Sequence, residues 1–426
     1  MIVLIMFIVL LLLLAVNVPI AIALAVTTII AMVSGNGTNF LIDTAIVMFD
    51  GSMNFPLIAI PLFILAGAIM NSSGISRRLI AFASALVGFV RGGLSMITIA
   101  ASMFFAEISG SAVADVAALG SILIPAMKKK GYPAPFAAAV CSSAASLAVI
   151  IPPSIPMILY AVMAQTSVVQ LFVAGIIPGI IGGFGMMFVS YLYAKKKNLP
   201  IEENFNLKNV RKTGKEALLA FVLPVVILGG IFGGFVTATE GAGLAVVASL
   251  LIGVIYRELN FKKLFEATTE GGSQTAIVML LVASSVLIGE FLTIEQVPQK
   301  VAASIIDFTT NKYAILAILN VFLLVIGFFL HSAAAIILVI PIVMPLIAIA
   351  GIDPVHFGII VTLNLAIGQQ TPPVASVLVT ACSVAKADIW EVSKTNIMFI
   401  AVLFVVLMLV TYVPVVPMSL VEYFYR

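Results

Sequence analysis

One pattern occurs twice in this chain, and it limits the possible folds more than any other feature. The segments 104–161 and 328–381 each carry a proline, a glycine and a double proline in the same order. A shift of 220 residues superimposes these positions, which are Pro125, Gly131 and Pro152-Pro153 in the first segment and Pro345, Gly351 and Pro372-Pro373 in the second. The chain is therefore predicted to consist of two related halves.

Each double proline lies at the end of an apolar run, IIPPSIP in one half and QQTPPVAS in the other. Two adjacent prolines remove two backbone donors and stop a helix from continuing. In hydrocarbon such a break is tolerated only where protein or a water-filled cavity satisfies the freed backbone groups. Interrupted apolar segments at matching positions in two halves indicate the binding site of a secondary transporter.

The composition agrees with a membrane location. Of 426 residues, 62% are hydrophobic and only 9% are charged, which predicts an all-α polytopic membrane protein. The N-terminal apolar run lacks the basic region of a signal peptide, so we expect it to be retained as spanning helices. Both cysteines, Cys141 and Cys382, lie in apolar segments, and no structural disulfide is expected.

The hydrophobic pattern predicts the same order of elements in each half, about five spans plus one re-entrant hairpin. The first half, 1–194, has scaffold helices at 1–90, a hairpin at 94–127 and a broken helix at 134–163; a polar linker at 195–215 follows; the second half, 216–426, has scaffold helices at 217–308, a hairpin at 313–347 and a broken helix at 355–384. Basic residues at both ends of 94–127 indicate that the segment returns to the side it entered from. Five is odd, so the second half is expected to be inverted relative to the first.

The distribution of basic residues tests this topology. A periplasmic N-terminus places all but three of the 21 Lys and Arg residues on the cytoplasmic side, the exceptions being Lys300, Lys312 and Arg426. Cytoplasmic loops carry an excess of Lys and Arg, so this orientation is favoured. The basic linker is interpreted as a topology signal, and no nucleic-acid partner is predicted.

The predicted hairpin tips are Ser109-Gly110-Ser111 and His331-Ser332-Ala333. If each tip reaches mid-membrane, it meets the break in the following helix. Unwound carbonyls and hydroxyls there suit Na⁺, and half-helix N-termini offer N–H groups to an anion. The alternative is that the small residues at the tips only allow close helix packing.

Several other residues have two readings. The acids Glu107, Asp115, Glu240 and Glu290 lie in or beside apolar segments, where an acid suggests function but can also cap a helix or lie at the interface. His356 is interpreted as structural. The spacing of Gly175, Gly179 and Gly183 is typical of helix contact. The chain has neither a G-x-x-x-x-G-K-[ST] loop nor H-E-x-x-H, so neither ATP use nor that zinc chemistry is supported.

Four motifs carry a family resemblance that extends along essentially the whole chain: SGSAVADVAALGSILIPAM, IIPPSIP, GGFVTATEGAG and QQTPPV. With these the chain resembles the large membrane subunit of tripartite ATP-independent periplasmic (TRAP) transporters. The resemblance implies an elevator-type ion transporter fold and sodium-coupled import of an organic acid across the bacterial inner membrane. It also implies two partners, a small four-helix membrane subunit and a periplasmic substrate-binding protein.

Carried onto this sequence, the resemblance implies two or more Na⁺ sites beside one substrate site. The implied sodium-binding residues are Ser109, Gly110, Ser111 and Pro152 in the first half and Ser332, Gly368, Thr371 and Pro372 in the second; those implied for the substrate are Ser111, Ser154, His331 and Gln369. His331 departs from the family, which often has an acid there. No organic cofactor is implied.

Two alternatives to a tripartite importer were weighed. One is a self-sufficient sodium/carboxylate symporter of related fold, which differs in needing no binding protein. The other is an intramembrane enzyme, but two His and two Cys scattered along the chain give it little support. Sialic acid and a C4-dicarboxylate are the two substrates considered, with sialic acid favoured by overall likeness.

Overall fold

The computed structural model describes residues 2–16, 18–36, 40–202 and 204–425, and no β-strand occurs within these ranges. Helices make up 83% of the chain. The prediction of an all-α protein is therefore confirmed.

The first half contains eleven α-helices and three short 3₁₀ or π segments. Its α-helices are α1 (Ile2–Ala15), α2 (Ile20–Asn36), α3 (Phe40–Ser52), α4 (Ala59–Ser72), α5 (Ile75–Val87), α6 (Gly93–Ser109), α7 (Ala112–Asp115), α8 (Ser121–Lys129), α9 (Ala134–Ala145), α10 (Ile155–Met163) and α11 (Val168–Lys196). The short segments are the 3₁₀ turns Phe55–Ile58 and Ser146–Val149 and the π turn Val116–Gly120.

The second half repeats this order with fewer interruptions. Its helices are α12 (Leu207–Phe232), α13 (Ala238–Ile255), α14 (Phe261–Ile294), α15 (Val297–Phe308), α16 (Lys312–Phe329), α17 (Ser332–Ile349), α18 (Pro354–Gly368), α19 (Ser376–Ala385), α20 (Ile389–Tyr412) and α21 (Val415–Tyr425). The 34-residue α14 corresponds to α3 and α4 together, which are separated by the turn around Pro56.

Eight helices of the described chain are long and apolar enough to cross a membrane. They include α11, α12, α13, α14 and α20, while the broken helices are shorter, as a segment interrupted in mid-membrane must be. Glycines at positive φ, Gly131 and Gly351, follow the two hairpins at matching positions. The polytopic membrane fold is thus confirmed.

Three elements differ from the sequence expectation. The segment 34–56 has two acids and no Lys or Arg, which predicts a periplasmic loop, but α3 lies within it; residues 37–39 are outside the described chain. The helix α12 begins inside the linker, because Asn206 Oδ1 accepts from Lys208 N (3.0 Å) and caps the helix there. A final helix, α21, follows the last predicted span.

Two groups of helices can be distinguished, and they contact each other where α14 packs on α17. The scaffold group is α2, α4, α13 and α14, with helices of each half packed against helices of the other. The second group contains the hairpins and broken helices, and here too the halves interlock, since α10 packs on α17 and α19 packs on α9. Lys128 Nζ donates to Ala385 O (2.7 Å) and joins the base of the first hairpin to the end of α19.

Candidate functional site

The tip of the first hairpin, residues 110–111, lies directly against the first broken helix. Gly110 has φ +58°, a left-handed conformation that glycine adopts without steric cost. A Cβ on Gly110 would lie 3.1 Å from Pro153 O, so only glycine fits this approach. Ser111 caps α7, and its Oγ accepts from Ala114 N (3.5 Å). The backbone of Ser109 ends α6, and its side chain lies outside the described part, as does that of Glu107.

Break 1, residues 150–154, interrupts the first broken helix. Here Ser154 Oγ donates to Val149 O (2.8 Å), which satisfies a carbonyl that the broken helix leaves without a helical partner. The Pro152-Pro153 peptide bond is cis, and α10 begins directly after Ser154. The whole break is buried.

The tip of the second hairpin, residues 330–331, has the same relation to break 2, residues 369–375. Val374 N donates to Phe328 O (3.2 Å), which joins the break to the end of α16. Gly327 and Gly368 bring α16 and α18 into backbone contact, since a Cβ on Gly327 would lie 3.2 Å from Gly368 Cα. Thr371 Oγ1 donates to Ile367 O (3.0 Å). The Pro372-Pro373 bond is also cis.

Both tips, the residues that flank break 1 and Gln369 of break 2 contribute to one cavity of about 830 Å³. Its polar lining comes from both groups of helices and consists of Ser111, His331, Ser332, Gln369 and Ser376 beside the tips and Asn71, Ser76, Glu270 and Gln274 on the scaffold. Four helices begin at its wall, namely the arm that starts with α7, together with α10, α17 and α19. The cavity therefore lies between the scaffold and the hairpins.

The structure divides the residues singled out from the sequence into two sets. Gly110, Ser111, His331, Ser332 and Gln369 line the cavity. The others lie behind the tips, within or next to the breaks: Pro152, Ser154, Gly368, Thr371 and Pro372. Ser154 was expected beside the substrate, but it is fully buried and its hydroxyl bonds to the backbone of the break.

A buried polar network that the sequence analysis missed connects the two broken helices. Ser143 Oγ lies 2.6 Å from both Gln370 Oε1 and Asn396 Oδ1. Gln370 Nε2 donates to Ser146 Oγ (2.7 Å), and Asn396 Nδ2 donates to Gln370 Oε1 (3.2 Å). All four residues are buried, so the network stabilises one relative position of the breaks. The available signal was the polar residues within otherwise apolar runs.

The remaining candidates from the sequence have structural surroundings. Glu240 forms a capping box with Thr237, whose backbone N–H it accepts from at 2.7 Å. Glu290 is exposed, whereas Asp115 is fully buried in the first hairpin. His356 Nε2 donates to Val410 O (2.8 Å). Gly175 and Gly179 pack against break 1, as glycines in a helix contact do.

The polar side chains of the cavity are mainly hydroxyls and amides, together with Glu270 and His331. Among the described residues, no group of three or more His, Cys, Asp or Glu side chains is placed to hold a metal ion. Oxygen donors of the carbonyl and hydroxyl type suit a hard monovalent cation, and the first turns of helices suit an anion.

Comparison with a solved structure supports the fold. The YdaH transporter of Alcanivorax borkumensis, described as having an unusual topology, superimposes with a TM-score of 0.63 over 89% of each chain. Its sequence is only 15% identical, so the likeness concerns the fold alone.

Sequence comparisons identify relatives with printed transport roles. An isethionate TRAP transporter permease of Oleidesulfovibrio alaskensis is 44% identical over 87% of this chain, which spans 59% of that permease's length. The C4-dicarboxylate large permease of Pseudomonas aeruginosa is 38% identical over 88% of each chain. The sialic acid large permease of Vibrio cholerae is 35% identical over 92% of each. Residues 7–416 match the family model for the DctM component, so the chain belongs to the DctM family of tripartite ATP-independent periplasmic transporters.

Proposed function

We propose that this chain imports a small organic anion across the bacterial inner membrane, coupled to Na⁺, as the large subunit of a tripartite transporter. The observation that carries the proposal is the shared cavity, which both hairpin tips and the first turns of four helices line. The family membership supports transport of this general kind.

The anion is expected at the hairpin wall of the cavity. The first turns of α10, α17 and α19 line this wall, and helix N-termini favour negative charge. Hydroxyls of Ser111, Ser332 and Ser376 lie there as donors. Ser376 Oγ is buried and, within the described chain, has no hydrogen-bond partner. A bound anion would supply this missing partner.

Sodium is expected behind the tips, where a tip meets a break. The helix ends at break 1 and at break 2, and there the hydroxyls of Ser154 and Thr371 each donate to a backbone carbonyl. A Na⁺ held between a tip and a break would stabilise the tip in the position that binds the anion. This link would couple the two ions.

An elevator movement is supported by the two-sided wall of the cavity. Asn71, Ser76, Glu270 and Gln274 belong to α4, α5 and α14 of the scaffold, while the other wall belongs to the hairpins. Ser76 and Glu270 lie near the basic end of the scaffold, where Glu258 pairs with Arg77 (2.5 Å) and Arg78 (2.9 Å). The positive-inside rule assigns this end to the cytoplasm, so the cavity would face inward in this conformation and the N-terminus would be periplasmic.

The substrate proposal stops at a small organic anion. The three relatives are named for isethionate, C4-dicarboxylate and sialic acid, which share a negative charge and little else. The description of the family as tripartite and periplasmic supports delivery by a periplasmic binding protein and assembly with a small membrane subunit. The first relative is named DctMQ and is longer than this chain, so its other segment is a candidate counterpart of the small subunit.

Uptake into proteoliposomes tests the proposal. The chain, with and without its small subunit and binding protein, is given radiolabelled isethionate, succinate or sialic acid under an inward Na⁺ gradient or none. We expect uptake of one of these anions that requires all three proteins and the gradient. Uptake by the chain alone would contradict the tripartite assignment, and uptake that ignores Na⁺ would contradict the coupling.

The sodium position is tested by Thr371→Ala, with Thr380→Ala as the matched control. Both hydroxyls donate to the carbonyl four residues earlier, at 3.0 Å and 2.9 Å, but only Thr371 lies in a break. We expect the first variant to raise the Na⁺ concentration for half-maximal uptake about tenfold, as for loss of one hydrogen bond or ligand. Equal Na⁺ dependence in both variants would remove Thr371 from the site.

A further inference from the structure

The first turns of α12 carry a cluster of basic residues that the transport site does not involve. Lys208, Arg211, Lys212 and Lys215 line a cavity of about 630 Å³ together with Gly214 and Leu218. Their spacing of three and four residues places all four cations on one face of the helix. We refer to these four residues and their cavity as the basic groove.

The basic groove lies at the expected membrane boundary. α12 has 26 residues and is about 39 Å long, roughly 9 Å more than the hydrocarbon core. Counting about 20 residues back from its apolar end at Phe232 reaches Thr213, so the basic groove lies at headgroup depth.

The same face of α12 continues as an apolar stripe toward the membrane centre. Its exposed members are Leu218 (59%), Val222 (42%), Val225 (70%) and Val226 (46%). A molecule with an anionic head and a long apolar tail would match the groove and the stripe together. A free phosphate would match only the groove.

The four cations are available to such a ligand. All four are exposed, and in the described chain no ion pair involves any of them. The only acid of α12, Glu216, lies four residues after Lys212 at the edge of this face, and no ion pair joins the two side chains in the described chain. Beside the groove, α12 packs against α5, and a Cβ on Gly214 would lie 3.3 Å from the ring of Phe82.

We propose that the basic groove binds the phosphodiester headgroup of an anionic phospholipid, with an acyl chain along Leu218, Val222 and Val225. Basic residues near a membrane surface each strengthen binding of anionic lipid by about fivefold. The groove lies on α12, which packs against α5, and α5 leads directly into the first hairpin. The site would therefore join the surrounding leaflet to the scaffold arm next to the transport group.

The test measures lipid retention by native mass spectrometry on the full chain purified with its small subunit. The test variant carries Lys208→Gln, Arg211→Gln, Lys212→Gln and Lys215→Gln. The matched control carries Lys195→Gln, Lys196→Gln and Lys197→Gln, which removes neighbouring charges at the end of α11 outside the groove. Phosphatidylglycerol and phosphatidylcholine are the probes, and a melting curve of each variant checks folding.

We expect the test variant to lose about tenfold or more of its phosphatidylglycerol retention, while the control and phosphatidylcholine binding stay unchanged. A second variant, Val222→Ser with Val225→Ser, should also weaken phosphatidylglycerol binding although every cation remains. Equal retention by test variant and control would overturn the proposal. Retention that depends on the cations but not on the valines would show a phosphate site without a lipid, and loss of the small subunit from the test variant would show that the groove binds protein instead.

Discussion

Break 1 and break 2 have the same backbone plan and opposite environments. Every residue from Ile151 to Ser154 is buried, whereas Pro373 and Val374 of break 2 are exposed, Val374 to 48%. The N-cap of α10, Ser154, is extended, while the N-cap of α19, Ala375, has φ +43°. Both repeats therefore interrupt the helix at the same place, but only break 1 is covered by neighbouring residues along its whole length.

The difference originates in the helix that follows each break. α11 begins at Val168 and α20 at Ile389, so the two helices correspond with an offset of 221. Gly175 of α11 lies against the carbonyl of Ile150, and its counterpart Asn396 bonds to Gln370, the counterpart of Ile150. Gly175 lets α11 pack directly against the backbone of break 1. The side-chain amides of Asn396 and Gln370 lie between α20 and break 2 and keep the two backbones further apart. The first break is thus a fixed support and the second is the accessible one.

The largest effect is expected from replacing Gly175, the glycine of α11 that contacts break 1. Gly175→Val places side-chain atoms where the carbonyl of Ile150 lies, and overpacking of this kind costs about 1–3 kcal/mol or more. We expect a lower melting temperature and loss of uptake. Gly243→Val is the control, because a Cβ there meets nothing within 4 Å. Equal melting temperatures for the two variants would mean that α11 does not hold break 1 closed.

A smaller effect is expected from making break 2 resemble break 1. Gln370→Ile removes one buried hydrogen-bond partner from each of Ser143, Ser146 and Asn396, at about 1–3 kcal/mol. The double variant Gln370→Ile with Asn396→Gly recreates the pair found in the first half. Differential scanning fluorimetry and uptake should show partial recovery in the double variant relative to the sum of the single ones. Strict additivity would show that the two positions are not a unit.

The smallest effect is expected at the two N-caps. Ala375 has a left-handed backbone conformation, which costs an alanine roughly 1 kcal/mol, and Ala375→Gly removes this strain. Glycine loses more conformational entropy on folding, by a similar amount, so the free energy of unfolding should change by less than about 1 kcal/mol. Ser154→Gly has no such relief and loses the hydrogen bond to Val149, so it should lower the melting temperature. A larger fall in melting temperature for Ala375→Gly than for Ser154→Gly would contradict this account of the two caps.

The fold was largely predictable because its signals are local and repeated. Apolar runs and the two double prolines predicted helices that stop at 152–153 and at 372–373, and no helix runs through either pair. The helix α3 was not predicted because Asp43 and Asp50 interrupt its apolar residues, and a segment with such acids has the pattern of a loop. The start of α12 was missed because Lys and Arg mark a linker by charge while being good helix formers.

The candidate site was only partly predictable. The cavity-lining role of His331 and Gln369 followed from their places next to a tip and a break. The network around Gln370 could not be predicted from the sequence. Ser143 contacts residues that lie 227 and 253 positions further along the chain, and such contacts depend on tertiary packing. The scaffold wall with Glu270 and Gln274 escaped notice for the same reason.

The difference in access between the two breaks is measured most directly by cysteine labelling. Cys141 and Cys382 are both buried and are replaced by Ala to give a background, into which Val374→Cys or Ser154→Cys is introduced. A membrane-impermeant maleimide is added to proteoliposomes from either side. We predict rapid labelling at position 374 from the cytoplasmic side, slowed by substrate with Na⁺, and no labelling at position 154. Equal labelling of both positions, or labelling of 154 alone, would contradict the account of one closed and one open break.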